Sequence, residues 1–200
     1  MKGLLKTVGI IVGIVILAFI TFTIVDALTP KMAVVFFDNG FNNKTVTLKI
    51  DFKEPITIKG HEILKKEVKS GKHKVEIFDD KNKLTDNMEI DCKEATLGSK
   101  NKYVYNIKTA NKYETYTMSY FASDYKPTAK DNAENPLKKT PNQHFFDLYT
   151  FSSMDLCEPF PKEVELTKGT QKTTKTVVMH SGILLHKNFP CCKALWESFK

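Results

Sequence analysis

The sequence predicts a mainly β fold: an N-terminal transmembrane helix, then an immunoglobulin-like antiparallel β-sandwich, with extra C-terminal strands and a short C-terminal helix. Three observations carry that expectation. Val8 to Val25 is a run of 18 residues without a charge. From Met32 to Phe121, apolar and polar residues alternate in short segments punctuated by turn residues, without helical periodicity. After a polar stretch, aromatic and β-branched residues return, and Ala194, Leu195 and Phe199 close the chain at helical spacing, with Trp196 beside that stripe.

As an α-helix rising ~1.5 Å per residue, the first run would be ~27 Å long, close to the ~30 Å hydrocarbon core of a bilayer. Lys2, Lys6 and the amino terminus precede it, while Asp26 and Lys31 nearly cancel after it. That asymmetry puts the start in the cytoplasm and the remainder outside, so residues 1–30 read as a single-pass signal-anchor. The rival is a secretory signal cleaved near Ala27, with Val25 and Ala27 as the small residues before the cut; such signals usually have an apolar core of only ~7–15 residues. Because the first cysteine is Cys92, a lipoprotein is excluded. Gly9 and Gly13 form a G-x-x-x-G pair that would let two helices approach closely, which makes a homodimer testable, although Leu17 interrupts the small-residue face.

Residues 31–121 form the expected sandwich. Met32 to Phe37 is an apolar run closed by Asp38-Asn39-Gly40, whose Asn-Gly pair tolerates positive φ in a turn. Val46, Leu48, Ile50 and Phe52 alternate with Thr45, Thr47, Lys49 and Asp51, giving one apolar and one polar face until Pro55. Ile56 and Ile58 continue to Gly60. Ile63 to Val68 makes a further strand ending at Ser70-Gly71, and Val75 and Ile77 begin the next. Asp79 to Lys83 reads as a turn, after which Met88, Ile90 and Cys92 share a face. His61 and His73, beside lysines near strand ends, are expected to be exposed. Tyr103, Tyr105, Tyr113, Tyr116 and Tyr120 lie on two last strands joined at Asn111-Lys112, and as a cluster would form a binding face for a polysaccharide or another envelope protein.

The stretch Val68 to Phe78, with Gly71, His73, Val75 and Ile77, resembles the hairpins of carboxypeptidase-regulatory-like and PEGA-type surface β-sandwich modules. Those modules are structural or binding units, so the resemblance implies display rather than a reaction, and no catalytic residue carries over.

Residues 122–143, with Pro127, Pro136 and Pro141, read as a polar linker or long loop. Residues 144–200 form a β-rich extension: Phe145-Phe146, Leu148, Tyr149 and Phe151 resume structure, Val164 and Leu166 make a strand, and Thr176 to Met179 its partner. The short terminal helix follows Pro190, docked by a disulfide at its start.

The net charge of +7 is carried by lysine, for the chain has no arginine. This argues against nucleic acid, whose readers rely on arginine's planar fork, and an all-lysine bias suits an AT-rich genome and hence a bacterial envelope. Cys92, Cys157, Cys191 and Cys192 are disulfide candidates in an exported segment. Adjacent Cys191 and Cys192 are expected to reach Cys92 and Cys157 separately. His180, His186, Cys191 and Cys192 could also ligate zinc or copper, although their spacing matches no standard pair, so no metal and no cofactor is expected. Cys157 with His144 and Asp147 or Asp155 would make a thiol nucleophile, but Asp155 and Glu158 disfavour a thiolate. Ser99 and Lys102 match S-x-x-K without its companion motifs, and P-loop, G-x-G-x-x-G and H-E-x-x-H are absent. The expected function is a single-pass, membrane-anchored binding or scaffold module without catalysis. The alternative is an exported metal-handling or redox protein using the C-terminal histidines and cysteines; a hydrolase would need a loop-borne site.

Overall fold

The strand that organises the fold is β1 (Met32–Asp38), whose apolar run has no polar alternation because both of its faces are covered. In a computed structural model, residues 2–95, 99–107, 112–123, 138–139, 143–150, 152–166, 170, 172–180 and 193–197 are described, with side chains of the first helix from Ile11. The remaining elements are α1 (Lys2–Leu28), β2 (Val46–Ile50), β3 (Ile56–Ile58), β4 (Ile63–Lys69), β5 (Gly71–Phe78), β6 (Leu84–Cys92) and β7 (Asn101–Asn106). They continue with β8 (Tyr113–Phe121), β9 (Lys138–Lys139), β10 (Phe145–Asp147), a 3-10 turn (Leu148–Thr150), β11 (Lys172–His180) and α2 (Lys193–Glu197).

The chain is mainly β. Among the described residues the strands form three sheets, ordered β10-β7-β1-β4, β3-β2-β5-β6 and β11-β8-β9. Ala33, Val35 and Phe37 of β1 pack with Leu48, Val75, Ile77 and Ile90 of the second sheet. The alternate residues, Val34 and Phe36, pack with Tyr113 and Val177 of the third sheet and with Leu195 of α2. The first sheet is thus the middle of three layers.

Three strand expectations are corrected. β1 runs parallel to β7, so the first sheet is not purely antiparallel. β7 and β8 do not form a tyrosine hairpin: β7 lies between β1 and β10, whereas β8 pairs with β11 and β9. Val164 and Leu166 are not in a strand, and the partner of β11 is β8 over the full length of both. Strands from 31–121 and from 144–200 therefore share two sheets.

The stretch 68–78 is also not a hairpin. β4 belongs to the first sheet and β5 to the second, and the chain crosses between them at Ser70-Gly71, where Gly71 has φ 124° and the Ser70 N–H donates to Lys31 O at 2.8 Å. Nothing lies within 4 Å of a Cβ at Gly71, so glycine is required there by the dihedral alone.

Every side chain from Ile11 to Val25 of α1 is exposed, Phe19 at 68%. Thr21 and Thr23 turn their hydroxyls back onto the carbonyls of Leu17 and Phe19 at 2.8 and 2.5 Å, so neither depends on water for a partner. Among the described residues no helix is long and apolar enough to cross a membrane. The expected transmembrane helix is therefore not supported.

Candidate functional site

Strand directions define two ends of the paired first and second sheets. Met32, Lys69, Gly71 and Cys92 sit at the end where α1 enters, and Asp38, Ile63, Phe78 and Leu84 at the far end. At the near end a cleft of about 800 Å³ opens between β4 and the β2–β3 connection. Its walls are Met32, Ile50, Ile56 and Val68, and its rim carries both signs of charge, including Lys53, Glu54, Lys66 and Glu67.

The shape of the cleft follows from a turn. The Lys53 N–H donates to Ile50 O at 3.0 Å, and both intervening residues, Asp51 and Phe52, are left-handed with φ 52° and 59°. Two left-handed residues in such a turn suit Asn-Gly, and a phenylalanine there is strained. The turn ends β2 at Ile50, before Phe52 could continue the apolar face. Phe52, expected to point inward, is 74% exposed, with Lys74 Nζ 4.6 Å from its ring centre.

Asp51 pays back the strain through hydrogen bonds. Its Oδ1 accepts from the Lys74 N–H at 3.0 Å, and its Oδ2 lies 2.7 Å from His73 Nδ1. The other ring nitrogen of His73 lies 2.5 Å from Lys69 O. Both ring nitrogens are thus engaged within the fold. His73 is 8% exposed, contrary to the expectation of a surface histidine, because it shares the inward phase of Val75 and Ile77.

Although desolvation pushes the Asp51 carboxyl up, the hydrogen bonds from His73 and the Lys74 backbone and the charges of His73 and Lys53 hold it below its ordinary 3.8. Asp155 behaves likewise: burial raises it, but bonds from Lys102 and from Lys65 at 2.6 Å pull it below 3.8. A depressed carboxylate stabilises the fold above its unfolded pKa and loses that contribution as pH falls through its folded value. Stability to urea should therefore hold down to about pH 4 and decline below it, with Asp51→Asn and Asp155→Asn each flattening that decline.

At the far end Asp38, Tyr113 and His180 converge. Asp38 and His180 have no exposure and Tyr113 has 2%. Asp38 Oδ2 accepts from the Tyr113 hydroxyl at 2.6 Å and lies 2.6 Å from His180 Nε2, while Oδ1 accepts from the Gly40 N–H at 2.8 Å. Neither Asn39 nor Gly40 has a positive φ, so the glycine is needed for another reason: a Cβ at Gly40 would lie 2.3 Å from His180 Cε1. A second far-end group joins the first two sheets. The Tyr105 hydroxyl donates to Asp86 Oδ2 at 2.9 Å, and burial above all raises its pKa. His144 Nε2 lies 2.7 Å from the same oxygen, without a hydrogen-bonding angle.

The expected tyrosine face is not assembled. Tyr103, Tyr105 and Tyr113 are core residues, and Tyr116 and Tyr120 are half-buried. Of the metal candidates, His180 is committed to Asp38, while His186, Cys191 and Cys192 lie outside the described residues. Among the described residues no three His, Cys, Asp or Glu side chains are grouped for a metal. Of the disulfide candidates, Cys92 is a free thiol with no exposure, so its expected bond is overturned. It faces the core between the first and second sheets, whereas Cys157 lies on the opposite side of the first sheet. No disulfide joins two described cysteines; Cys157 is disulfide-bonded to a partner outside them. The thiol-nucleophile arrangement is thereby dissolved, with His144 beside Asp86 and Asp155 held by two lysines.

Burial, and to a smaller degree Asp91, pushes the Cys92 thiol up to about 12. In native protein a charged thiol reagent should leave Cys92 unlabelled, and denaturant should expose it; mass spectrometry of the labelled chain reads both states.

No protein-family model matches this chain, and no curated protein and no solved structure is detectably similar to it. The cleft lining offers no hydroxyl or thiol, and its histidine is tied on both nitrogens. Its walls are apolar and its rim is charged.

Proposed function

We propose that the chain is a single-pass envelope protein that displays its three-layered β domain outside the membrane, as a binding module whose contact surface is the cleft beside His73. The observation that carries the reading is the uncharged run Val8 to Val25, which leads within a few residues into the buried strand β1. The exposure of every apolar side chain from Ile11 to Val25 supports it, since a helix apolar all round needs lipid or protein around it. A disulfide at Cys157 suits an exported domain. The cleft's apolar walls between charges of both signs fit a polypeptide segment better than a sugar, which would need more hydrogen-bonding groups on the walls.

A periplasm-active reporter fused after Lys200 should be active, and the fusion should stay with membranes through alkaline carbonate extraction. A cytoplasmic reporter would overturn the reading. A mature chain starting after Ala27 would replace the anchor with a cleaved signal.

A further inference from the structure

We propose that the near end of the sandwich rests on the outer membrane-water interface, with Phe52 as an apolar wedge and Lys53, Lys69 and Lys93 facing anionic lipid headgroups. This rests on the anchored reading above and places the membrane contact at the lip of the same cleft, so that a polypeptide held there would lie along the bilayer surface.

Chain geometry brings that end to the bilayer. Only Thr29, Pro30 and Lys31 separate α1 from β1, and at no more than ~3.6 Å per residue they cannot carry Met32 more than ~14 Å from the helix end. The Thr29 N–H still donates to Val25 O at 2.9 Å, and Lys31 O is tied to Ser70, so the tether has little slack. Met32 itself lines the cleft beside Phe52. The β2–β3 turn is therefore on the side of the domain that looks toward the helix.

The chemistry of the turn fits that position. Phe52 is 74% exposed, against 38% for Phe41 and 45% for Leu84 at the far end. Its left-handed backbone aims it away from the core that its alternation would have it join. Lys74 lies over the ring face, and Lys53 follows in sequence. An aromatic ring flanked by lysines is the composition that settles at a headgroup boundary. Lys53, Lys69 and Lys93 are exposed and form no salt bridge among the described residues, although Lys53 acts on the neighbouring Asp51 charge and Glu54 and Glu67 share the rim. They are available for lipid phosphates.

The test reconstitutes the full chain, with Trp196→Phe, into phosphatidylglycerol-phosphatidylcholine vesicles that carry brominated acyl chains. Phe52→Trp should show blue-shifted emission quenched at least twofold relative to unbrominated vesicles, while Leu84→Trp at the far end should not be quenched. Lys53→Glu should at least halve the Phe52→Trp quenching when phosphatidylglycerol is present and leave it unchanged in phosphatidylcholine alone. Protein that floats with the vesicles but shows equal quenching at positions 52 and 84 overturns the interfacial contact and leaves the anchor standing. Protein that does not float at all overturns both.

Discussion

Asp38→Ala should destabilise the protein by about 3–5 kcal/mol, the scale for removing one partner of a buried ion pair or charge-assisted hydrogen-bond group. Asp38 is unexposed, and its two oxygens serve Tyr113, His180 and Gly40, which belong to β8, β11 and the β1–β2 connection. Alanine would leave the Tyr113 hydroxyl and His180 Nε2 without that acceptor, inside a packed ring cluster. His180 has Phe41 at 5.0 Å and Tyr113 at 5.6 Å between ring centres, so there is little room for water to substitute. The exposed Lys100–Glu67 pair offers a contrast, since removing it should cost no more than about 1 kcal/mol. Urea denaturation reads the difference as a lower midpoint at unchanged slope. Replacing Asp38, Tyr113 and His180 together with apolar residues of similar volume should cost less than Asp38→Ala alone. If it costs more, the group supplies net stability rather than merely requiring mutual satisfaction.

Much of this arrangement was legible in the chain, and the misses share a cause. The unbroken run at Met32 to Phe37 is the strand expected, although its burial on both faces goes beyond the sandwich expectation, and the phase of Met88, Ile90 and Cys92 matches their burial. The Asp79 to Lys83 turn closes as expected, with Asp79 Oδ1 accepting from the Lys81 and Lys83 N–H groups. Periodicity assigns a residue to a face but does not say which sheet that face meets. Tyr103 and Tyr105 therefore looked like candidates for a surface, whereas neighbouring layers cover both faces of β7. His73 was set apart from its own inward phase by its chemistry, because a lone histidine beside lysines suggests water; only the distant Asp51 shows why it can be buried. Asp38 and His180 stand 142 positions apart, and no local signal links them. Phe52 is the opposite case. The alternation placed it inside, and a left-handed dihedral that phenylalanine rarely adopts puts it outside.

Gly60→Ala should be the second most damaging change, at about 2–3 kcal/mol, in the upper part of the range for forcing extra volume into a packed site. A Cβ at Gly60 would stand 2.4 Å from Asn43 O and 2.5 Å from the Asn43 carbonyl carbon. Those are backbone atoms, so no rotamer change relieves the clash. The Asn43 peptide is also laced on both sides. The His61 N–H donates to Asn42 O at 2.9 Å, and Asn39 Nδ2 donates to Lys44 O and Lys59 O at 2.9 and 2.8 Å. Moving it would pull on Asn39, the residue next to Asp38, and so disturb the buried group as well. Gly71→Ala tests whether the cause is space or dihedral strain. It meets open space but carries φ 124°, and should cost about 1 kcal/mol. Equal losses at the two glycines would show that backbone strain, not the approach of Asn43, governs position 60. Coupling decides how far the strain travels. In an Asp38→Ala background the Gly60→Ala loss should shrink by at least about 0.5 kcal/mol, since part of the structure it disturbs is already released.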